Sequence, residues 1–145
     1  MGKEVNKTVS ISEPKLIEND LGDIRHIIDE SSEDFYGFEE AYFSHIKFSA
    51  IKAWKRHKVM TSNIVVAYGK VKLVYSNFMD DKIDNFSEIV LSDSPYQRIT
   101  IPPMCWFGFK GLSKNEAIIL NISNFKHMPH EVERKDIEEF KYNWG

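Results

Sequence analysis

Two short apolar alternations stand close together in the middle of the chain, and they limit what the chain can fold into. The first spans 64–68 and the second spans 71–75, and Gly69 and Lys70 separate them. Alternation with a period of two is typical of half-buried strands, and a glycine turn between two such runs predicts a β-hairpin. We therefore expect the segment 51–77 to be the structural centre of a β protein.

Further alternations predict more short strands and almost no helix. They cover 24–28, 41–54 with a turn at Ser49 and Ala50, 86–101 around a turn at 92–95, 105–109 and 117–122. Pro102 and Pro103 cannot donate hydrogen bonds to a sheet, so they predict an edge or a corner. Roughly eight to ten strands at a spacing of about 8–12 residues predict an all-β sandwich or barrel.

The remaining segments are polar. Residues 31–40 carry many carboxylates and are expected to form a solvated loop, and 78–85, which includes Asp80 and Asp81, is expected to be another loop. Residues 131–145 are charged with a few apolar points, which predicts a tail or short helix that packs on the body of the protein.

Composition excludes several classes of protein. With 145 residues, 42% of them hydrophobic, the chain is expected to form one folded domain over 1–145, loosely ordered only in 1–12. A net charge of −3 argues against nucleic acid as a partner. Cys105 is the single cysteine and is expected to be a buried apolar residue. No apolar run approaches the ~20 residues of a membrane span, and no signal peptide is visible, so we expect a cytoplasmic protein without a membrane partner.

Two segments carry the chemically interesting side chains. One is KAWKRH at 52–57, a run of cationic and aromatic residues directly before the central alternations. The other is IPPMCWFGF at 101–109. Each would span a strand end and a turn, and in jelly-roll barrels two such segments line the mouth of the barrel.

The order of several motifs resembles a known family. The chain reads GDIRHI, then KAWKRH, NIVVAYGKVKLVY and LSDSPYQRITIPPMCWFGFKGLS. This order resembles the cupin family of dTDP-4-dehydrorhamnose 3,5-epimerases, in particular a shorter branch of it, from about residue 20 to residue 144. The most specific part of the resemblance is 96–113.

The resemblance implies a cupin jelly-roll β-barrel with a short C-terminal extension, commonly a homodimer, that binds a deoxythymidine-diphosphate sugar. It implies a reaction in which protons are removed and returned beside a 4-keto group. That reaction needs a base near the C–H bond and a cation or donor near the developing enolate oxygen. It needs no metal and no other cofactor.

Matching the family's active-site motifs onto the chain shows several replacements. Lys55 stands at the position of the catalytic histidine, and Lys52 stands at that of the preceding arginine. Ser62 replaces a lysine, Phe107 replaces the second barrel histidine, and no tyrosine occurs at 125–127. The wider cupin metal motif would keep only His57 of its four ligands, and one imidazole does not hold a catalytic metal. His127 and His130 are not expected to form a metal pair.

His57 and Lys55 are the candidates for proton transfer. The near-neutral pKa of histidine suits a base, although His57 could equally be a surface or substrate-contacting residue. Lys55 could act as a base if burial or Arg56 lowers its pKa by several units; otherwise it would be an exposed or phosphate-facing lysine.

The candidates for substrate binding fall into two chemical groups. Lys52, Arg56 and Arg25 could hold a diphosphate through charge-assisted hydrogen bonds, or could be ordinary surface charges. Trp54, Trp106 and Phe107 stand in the two segments described above, where an aromatic ring could stack on a base or sugar or could belong to the core. Regular alternation places Lys52 and Lys55 on opposite faces, so both can line one cavity only if the strand bulges.

Two functions from different classes fit these observations. The first is an epimerase or isomerase of nucleotide-linked 4-keto-6-deoxy sugars in surface-polysaccharide sugar biosynthesis. The second is a non-catalytic nucleotide-sugar-binding cupin that has lost the histidine, lysine and tyrosine of the epimerases. A structural β-sandwich without a ligand is a third, weaker interpretation.

Overall fold

The computed structural model describes residues 6–79 and 85–145, and regular structure in these ranges consists of β-strands and one short 3-10 helix. In chain order the elements are β1 (Ser10–Ser12), β2 (Leu16–Ile17), β3 (Ile24–Arg25), β4 (Glu40–Ile46), β5 (Ile51–His57), β6 (Ser62–Tyr68), β7 (Lys70–Ser76), β8 (Phe86–Ser92), β9 (Arg98–Ile101), β10 (Phe107–Gly111), β11 (Ala117–Ser123), β12 (Val132–Arg134) and the 3-10 helix Ile137–Glu139.

Two five-stranded antiparallel sheets enclose the core. Sheet I has the strand order β1-β9-β6-β11-β4, and sheet II has the order β12-β5-β10-β7-β8. Strands β2 and β3 form a separate two-stranded sheet. Side chains from both large sheets pack together in one buried cluster that includes Ile64, Ile119, Leu73 and Phe109. The prediction of an all-β sandwich or barrel is confirmed.

The predicted central hairpin is wrong, although both of its strands exist. Strand β6 lies in sheet I, between β9 and β11, whereas β7 lies in sheet II, between β10 and β8. The predicted strand pair in 41–54 is wrong in the same way, because β4 and β5 are in different sheets, and so are β8 and β9 in 86–101. Alternation shows which residues share a face of a strand, but it does not show which strand lies beside it.

Gly69 explains why the chain crosses between the sheets at this point. Its φ of 87° lies in the region that glycine adopts without steric cost. A Cβ built at Gly69 would lie 2.7 Å from Ser113 Oγ and 3.2 Å from Ala117 Cβ. The glycine is therefore required by a positive φ and by close packing at a corner of the barrel.

Other sequence predictions are confirmed at the level of single elements. Pro102 and Pro103 form a corner, because they connect β9 of sheet I with β10 of sheet II. The predicted strand at 117–122 is β11, and its residues alternate between fully and partly buried. The predicted strand at 24–28 is shorter and consists of Ile24–Arg25. Cys105 is buried in the main core, as expected.

The acidic segment 31–40 is a loop as far as residue 39, as predicted, and residue 40 begins β4. One of its carboxylates is buried. Asp34 accepts a hydrogen bond from Ser10 Oγ at 3.1 Å and lies 3.8 Å from the guanidinium of Arg98. In the N-terminal segment, residues 10–12 form β1, which pairs with β9. Residues 1–5 and the predicted loop residues Asp80 and Asp81 lie outside the described residues.

The C-terminal segment packs on the body, as predicted, and it adds a strand that the sequence did not predict. Strand β12 pairs with β5 and forms one edge of sheet II. The following residues cover the outer face of this sheet, where Phe140 and Trp144 are buried against Trp54 and Trp106. We name the cluster Trp54, Val74, Trp106, Phe140 and Trp144 the outer aromatic cluster.

Candidate functional site

A cavity of about 670 Å³ lies between the two large sheets. This volume is typical of a small-molecule site. Sheet I contributes mainly polar and aliphatic side chains to it. Strands β5, β10 and β12 and the segment after β12 contribute most of its charges and rings. The lining residues are Tyr42, Ser44, Lys52, Ala53, Trp54, Lys55, Ile64, Phe107, Phe109, Ile119, Asn121, Arg134, Lys135, Asp136 and Glu139.

A bulge in β5 brings Lys52 and Lys55 to the same cavity. Lys55 pairs with Phe107 of β10, and Lys52 pairs with Phe109, with a shift of register between the two pairs. Between these two pairs the chain advances by three positions along β5 but by only two along β10. Strand β5 therefore carries one extra residue, which is a β-bulge. Regular alternation would have put these lysines on opposite faces, and the bulge removes this restriction.

Gly108 allows β5 and β10 to pack tightly at the bulge. A Cβ built on Gly108 would lie only 2.6 Å from Ala53 Cβ. Real Cβ atoms do not approach one another so closely, so a larger residue at 108 would push β5 away. The glycine between Phe107 and Phe109 is therefore part of what positions Lys55.

Lys55 lies between a cation and an aromatic ring in a row across sheet II. Arg134 of β12 is its register partner on one side, and Phe107 of β10 is its partner on the other. Its Nζ lies 5.5 Å from the centroid of the Phe107 ring. Burial lowers the pKa of Lys55 to about 8, and the like charges of Arg134 and Lys52 add to this effect. A lysine with such a pKa is partly neutral near physiological pH.

Lys52 is the more exposed of the two lysines. Its Nζ donates hydrogen bonds to the carbonyl oxygen of His45 at 2.7 Å and to Ser44 Oγ at 3.3 Å. Arg134, Asp136 and Glu139 also line the cavity and are exposed, so the cavity is open to solvent on this side. An anionic ligand would meet the charges of Lys52 and Arg134 there.

Tyr42 and Asn121 form a polar part of the wall on sheet I. Asn121 Nδ2 donates a hydrogen bond of 2.9 Å to Tyr42 Oη, which leaves the O–H proton of Tyr42 to be donated elsewhere. Burial raises the pKa of Tyr42, so its hydroxyl stays protonated at neutral pH. Sequence reasoning missed these residues and Arg134. A signal existed for Asn121, because a polar residue at an inward position of the apolar strand 117–122 is unusual.

His57 is buried beside Glu131 and is not among the lining residues. Its Nδ1 lies 2.7 Å from Glu131 Oε1, and both side chains are about 5% exposed or less. Burial lowers the pKa of His57 although Glu131 opposes this shift. Burial alone would raise the pKa of Glu131, but hydrogen bonds from His57 and from the N–H groups of Met60 and Val59 outweigh it and lower the pKa.

Trp54 and Trp106 belong to the outer aromatic cluster. Each is only 2% exposed. Trp54 stacks on Phe86 with ring centroids 4.7 Å apart and donates a hydrogen bond from Nε1 to the carbonyl oxygen of Ile137. Although Trp54 also contributes to the cavity lining, its ring is packed among other aromatic rings on the outer face of sheet II.

Arg56 and Arg25 lie away from the cavity lining. Arg56 Nε is 2.6 Å from Glu133 Oε2, and its guanidinium lies 4.8 Å from the centroid of the Trp106 ring. Arg25 donates a hydrogen bond of 3.0 Å to the carbonyl oxygen of Ala67, and its guanidinium lies over the ring of Tyr96. Of the residues selected from the sequence, the cavity therefore brings together Lys52, Trp54, Lys55 and Phe107.

Metal-ligating residues do not cluster in the described part of the chain. Within 6–79 and 85–145, no group of three or more His, Cys, Asp or Glu side chains is arranged to hold a metal ion. His127 and His130 are both exposed. The same ranges contain no helix with the length and apolar character needed to cross a membrane. The expected cytoplasmic location stays a prediction.

Known structures resemble this chain closely in fold. A dTDP sugar isomerase from Desulfovibrio desulfuricans G20 superposes with a TM-score of 0.85 and 28% identity, covering 94% of this chain and 90% of that chain. The sugar 3,4-ketoisomerase QdtA from Thermoanaerobacterium thermosaccharolyticum, solved with TDP, gives a TM-score of 0.75 at 18% identity, covering 91% of each chain. NovW from Streptomyces spheroides, a 4-keto-6-deoxy sugar epimerase, gives 0.81 at 14% identity, covering 99% of this chain and 81% of that chain.

Comparison at the level of sequence is less informative. No protein-family model and no curated protein matches the chain. QdtA and NovW therefore establish the fold, and the dTDP sugar isomerase adds a similarity in sequence over most of both chains. The chain therefore has the cupin jelly-roll fold of these dTDP-sugar isomerases and epimerases, as the order of its motifs predicted.

Proposed function

We propose that this protein is an isomerase or epimerase of a nucleotide-linked 4-keto-6-deoxy sugar, of the dTDP type, that works by acid/base proton transfer in the biosynthesis of surface-polysaccharide sugars. The observation that carries the proposal is Lys55. It is a cavity-lining amine with a lowered pKa. The motif match described above also predicts that it stands where the epimerases have their catalytic histidine. The solved neighbours named above are a dTDP sugar isomerase, a sugar 3,4-ketoisomerase bound to TDP and a 4-keto-6-deoxy sugar epimerase.

The charges of the cavity support a diphosphate ligand. Lys52 and Arg134 both line the cavity, and neither is paired with a carboxylate by a hydrogen bond or ion pair within residues 6–79 and 85–145. Cationic side chains bind phosphate oxygens through charge-assisted hydrogen bonds. We assign Lys52 and Arg134 to the diphosphate, which leaves the sugar to extend toward Lys55 and Phe107.

The chemistry beside a ketone needs a group that accepts a proton from carbon and a group that stabilises the enolate oxygen. A pKa of about 8 makes Lys55 partly neutral at physiological pH, so it can accept the proton. The O–H of Tyr42, whose oxygen already accepts a hydrogen bond from Asn121, is available as a donor to the oxygen of the substrate. In this assignment His57 does not contact the substrate. It is hydrogen-bonded to Glu131, which accepts hydrogen bonds from the backbone N–H groups of Val59 and Met60 directly after β5.

We further propose a homodimer. The outer face of sheet I supports it, because Phe43 of the edge strand β4 is 62% exposed and Phe38 nearby in sequence is 59% exposed. Exposed apolar side chains of this size, next to a strand with a free edge, are typical of an interface. Sedimentation equilibrium at micromolar concentration should give twice the mass of the chain, and a single-chain mass would contradict the dimer.

Two measurements test the proposed function. Thermal melting with dTDP should show stabilisation of about 2.7 kcal/mol when the ligand is at ~100 times its dissociation constant. Incubation in heavy water with a dTDP-4-keto-6-deoxyhexose should place deuterium at carbon 3 or carbon 5 faster than in the absence of protein. If millimolar nucleoside diphosphates do not change the melting temperature, the proposal that the protein binds a nucleotide sugar is contradicted. If the protein binds dTDP but no deuterium enters the sugar, the proposal of an enzyme is contradicted and the non-catalytic binding protein is supported.

A further inference from the structure

The amine of Lys55 lacks the partners that normally keep a lysine protonated. No hydrogen bond or ion pair joins its Nζ to another group within residues 6–79 and 85–145. Its near neighbours are instead the ring of Phe107 and the like charges of Arg134 and Lys52. Glu131, a carboxylate whose charge raises the pKa of Lys55, already accepts hydrogen bonds from His57 and two backbone N–H groups.

An amine in such surroundings is a nucleophile as well as a base. Lysines that are desolvated beside an apolar group and near another cation are the ones that form Schiff bases with carbonyl compounds. The depressed pKa of Lys55 agrees with this geometry, because only the neutral amine has a lone pair to offer. The cavity is open to solvent, so a carbonyl compound can reach the nitrogen.

We propose that Lys55 Nζ captures the carbonyl carbon of an anionic aldehyde or ketone as an imine. The neutral amine adds to the carbonyl carbon, and the carbonyl oxygen takes up a proton to give a carbinolamine. That oxygen then leaves as water while the nitrogen lone pair forms the C=N bond. The protonated imine and one water are produced, with one proton consumed from solvent, and hydrolysis reverses each step.

The neighbours of Lys55 select which carbonyl compounds are captured. Lys52 and Arg134 favour a compound that carries phosphate groups, and Phe107 favours an apolar surface beside the carbonyl. The hydroxyl of Tyr42 is placed on the cavity wall as a proton donor for the departing water. With the 4-keto sugar proposed above as the ligand, Lys55 would act through a protonated imine at carbon 4, which acidifies the neighbouring C–H bonds, in place of acting as the free base. This part of the inference rests on the proposed function.

Reductive trapping tests the inference. The protein is incubated separately with pyridoxal 5'-phosphate and with a dTDP-4-keto-6-deoxyhexose, treated with borohydride, and analysed by peptide mass spectrometry. We expect one reduced adduct per chain on the peptide that contains Lys55, formed at least ~10-fold faster than on the exposed Lys58, and slowed when dTDP is present. The adduct should disappear in Lys55→Met and in Lys55→Arg, and it should persist in Lys58→Met.

The outcomes separate this inference from the proposed function. Adducts spread evenly over the exposed lysines, with none enriched at Lys55, overturn the imine. Deuterium exchange into the sugar without any trapped adduct overturns the imine and leaves the proposed function standing. Capture of pyridoxal 5'-phosphate at Lys55 together with no response to dTDP or to the keto sugar supports the imine and contradicts the proposed function. Circular dichroism of both Lys55 variants confirms that loss of the adduct is not loss of folding.

Discussion

Two neighbouring rows of side chains cross sheet II, one on each face. Both rows have a cation in the middle, but the residue beside that cation is a carboxylate in one row and a second cation in the other. On the outer face the row is Glu133, Arg56 and Trp106, and on the inner face it is Arg134, Lys55 and Phe107. Each row places a cation beside an aromatic ring, which is Phe107 at the start of β10 or Trp106 directly before it. The outer cation has a carboxylate 2.6 Å away, whereas the inner cation has a second cation as its partner across the strands.

The difference between the rows indicates where the protein is prepared for a ligand. A carboxylate opposite a cation stabilises a sheet, and like charges directly opposite destabilise it by a similar amount, roughly 0.2–1 kcal/mol. The outer row is therefore arranged for stability. The inner row gives up stability in the free protein, and an anionic ligand in the cavity would restore it.

The largest expected effect is on catalysis. Lys55→Met removes the only amine of the inner row and should lower deuterium exchange into a dTDP-4-keto-6-deoxyhexose by about 100-fold or more, because a positioned base contributes about 10²–10⁴-fold. Lys58→Met, at an exposed position just beyond β5, is the matched control and should keep the wild-type rate. A Lys55→Met variant that folds and exchanges at the wild-type rate would refute the assignment of the base.

The same substitution should stabilise the protein. In the unfolded chain Lys55 keeps its proton up to a pKa of 10.5, whereas in the folded protein it loses the proton near pH 8. The unfolded state binds more protons between these values, so Lys55 makes the folded state less stable below pH 8, and this penalty fades as the pH rises to 10.5. Lys55→Met should raise the free energy of unfolding at pH 7 by ~1–3 kcal/mol, measured by urea denaturation. The gain should vanish above pH 10.5, and a gain that is independent of pH would point to packing alone.

Placing a carboxylate opposite the cation of the inner row, as in the outer row, should shift the pH dependence of the reaction rate. Arg134→Glu replaces the cation opposite Lys55 by a carboxylate, which favours the protonated amine and raises the pKa of Lys55. The rising limb of the pH–rate profile should then shift to higher pH by about one unit, and affinity for dTDP should fall. An unchanged limb would show that Lys55 does not set the pH dependence.

The smallest effect is expected on the outer row. Arg56→Met removes an ion pair with Glu133, which is 33% exposed, and a contact with the Trp106 ring. Such partly exposed interactions contribute little, so the free energy of unfolding should fall by no more than ~1 kcal/mol at any pH between 6 and 9. If Arg56→Met lowers the free energy of unfolding by more than Lys55→Met raises it, the expected order of these two effects is wrong.

The sequence predicted the strands and the general fold well, because alternation and turn residues are local signals. Strands β6 and β7 lie close to their predicted positions, and the corner at Pro102 and Pro103 is present. The strand partners were mispredicted, because residues such as Gly69 turn the chain from one sheet to the other without changing the local pattern. The order of motifs along the whole chain, in contrast, predicted the cupin type of fold.

The site was predicted only in part, and the reason lies in β5 and β12. One extra residue in β5 decides that Lys52 and Lys55 share a cavity, and no pattern in KAWKRH shows where a bulge will form. Arg134 reaches Lys55 through a strand of three residues, which is too short to be recognised from alternation. The inner row is therefore built from segments whose proximity becomes visible only in the folded protein.

A direct titration of the Lys55 amine tests the central claim that the inner row holds an uncompensated cation for an anionic ligand. With ¹³C-labelled lysine, the ε-carbon signal that is absent in Lys55→Met can be followed by NMR from pH 6 to 11. We predict a pKa of about 8 for Lys55 in the free protein and a clear rise of this pKa when dTDP is bound. A pKa near 10.5 in the free protein, or no change with saturating dTDP, would contradict it.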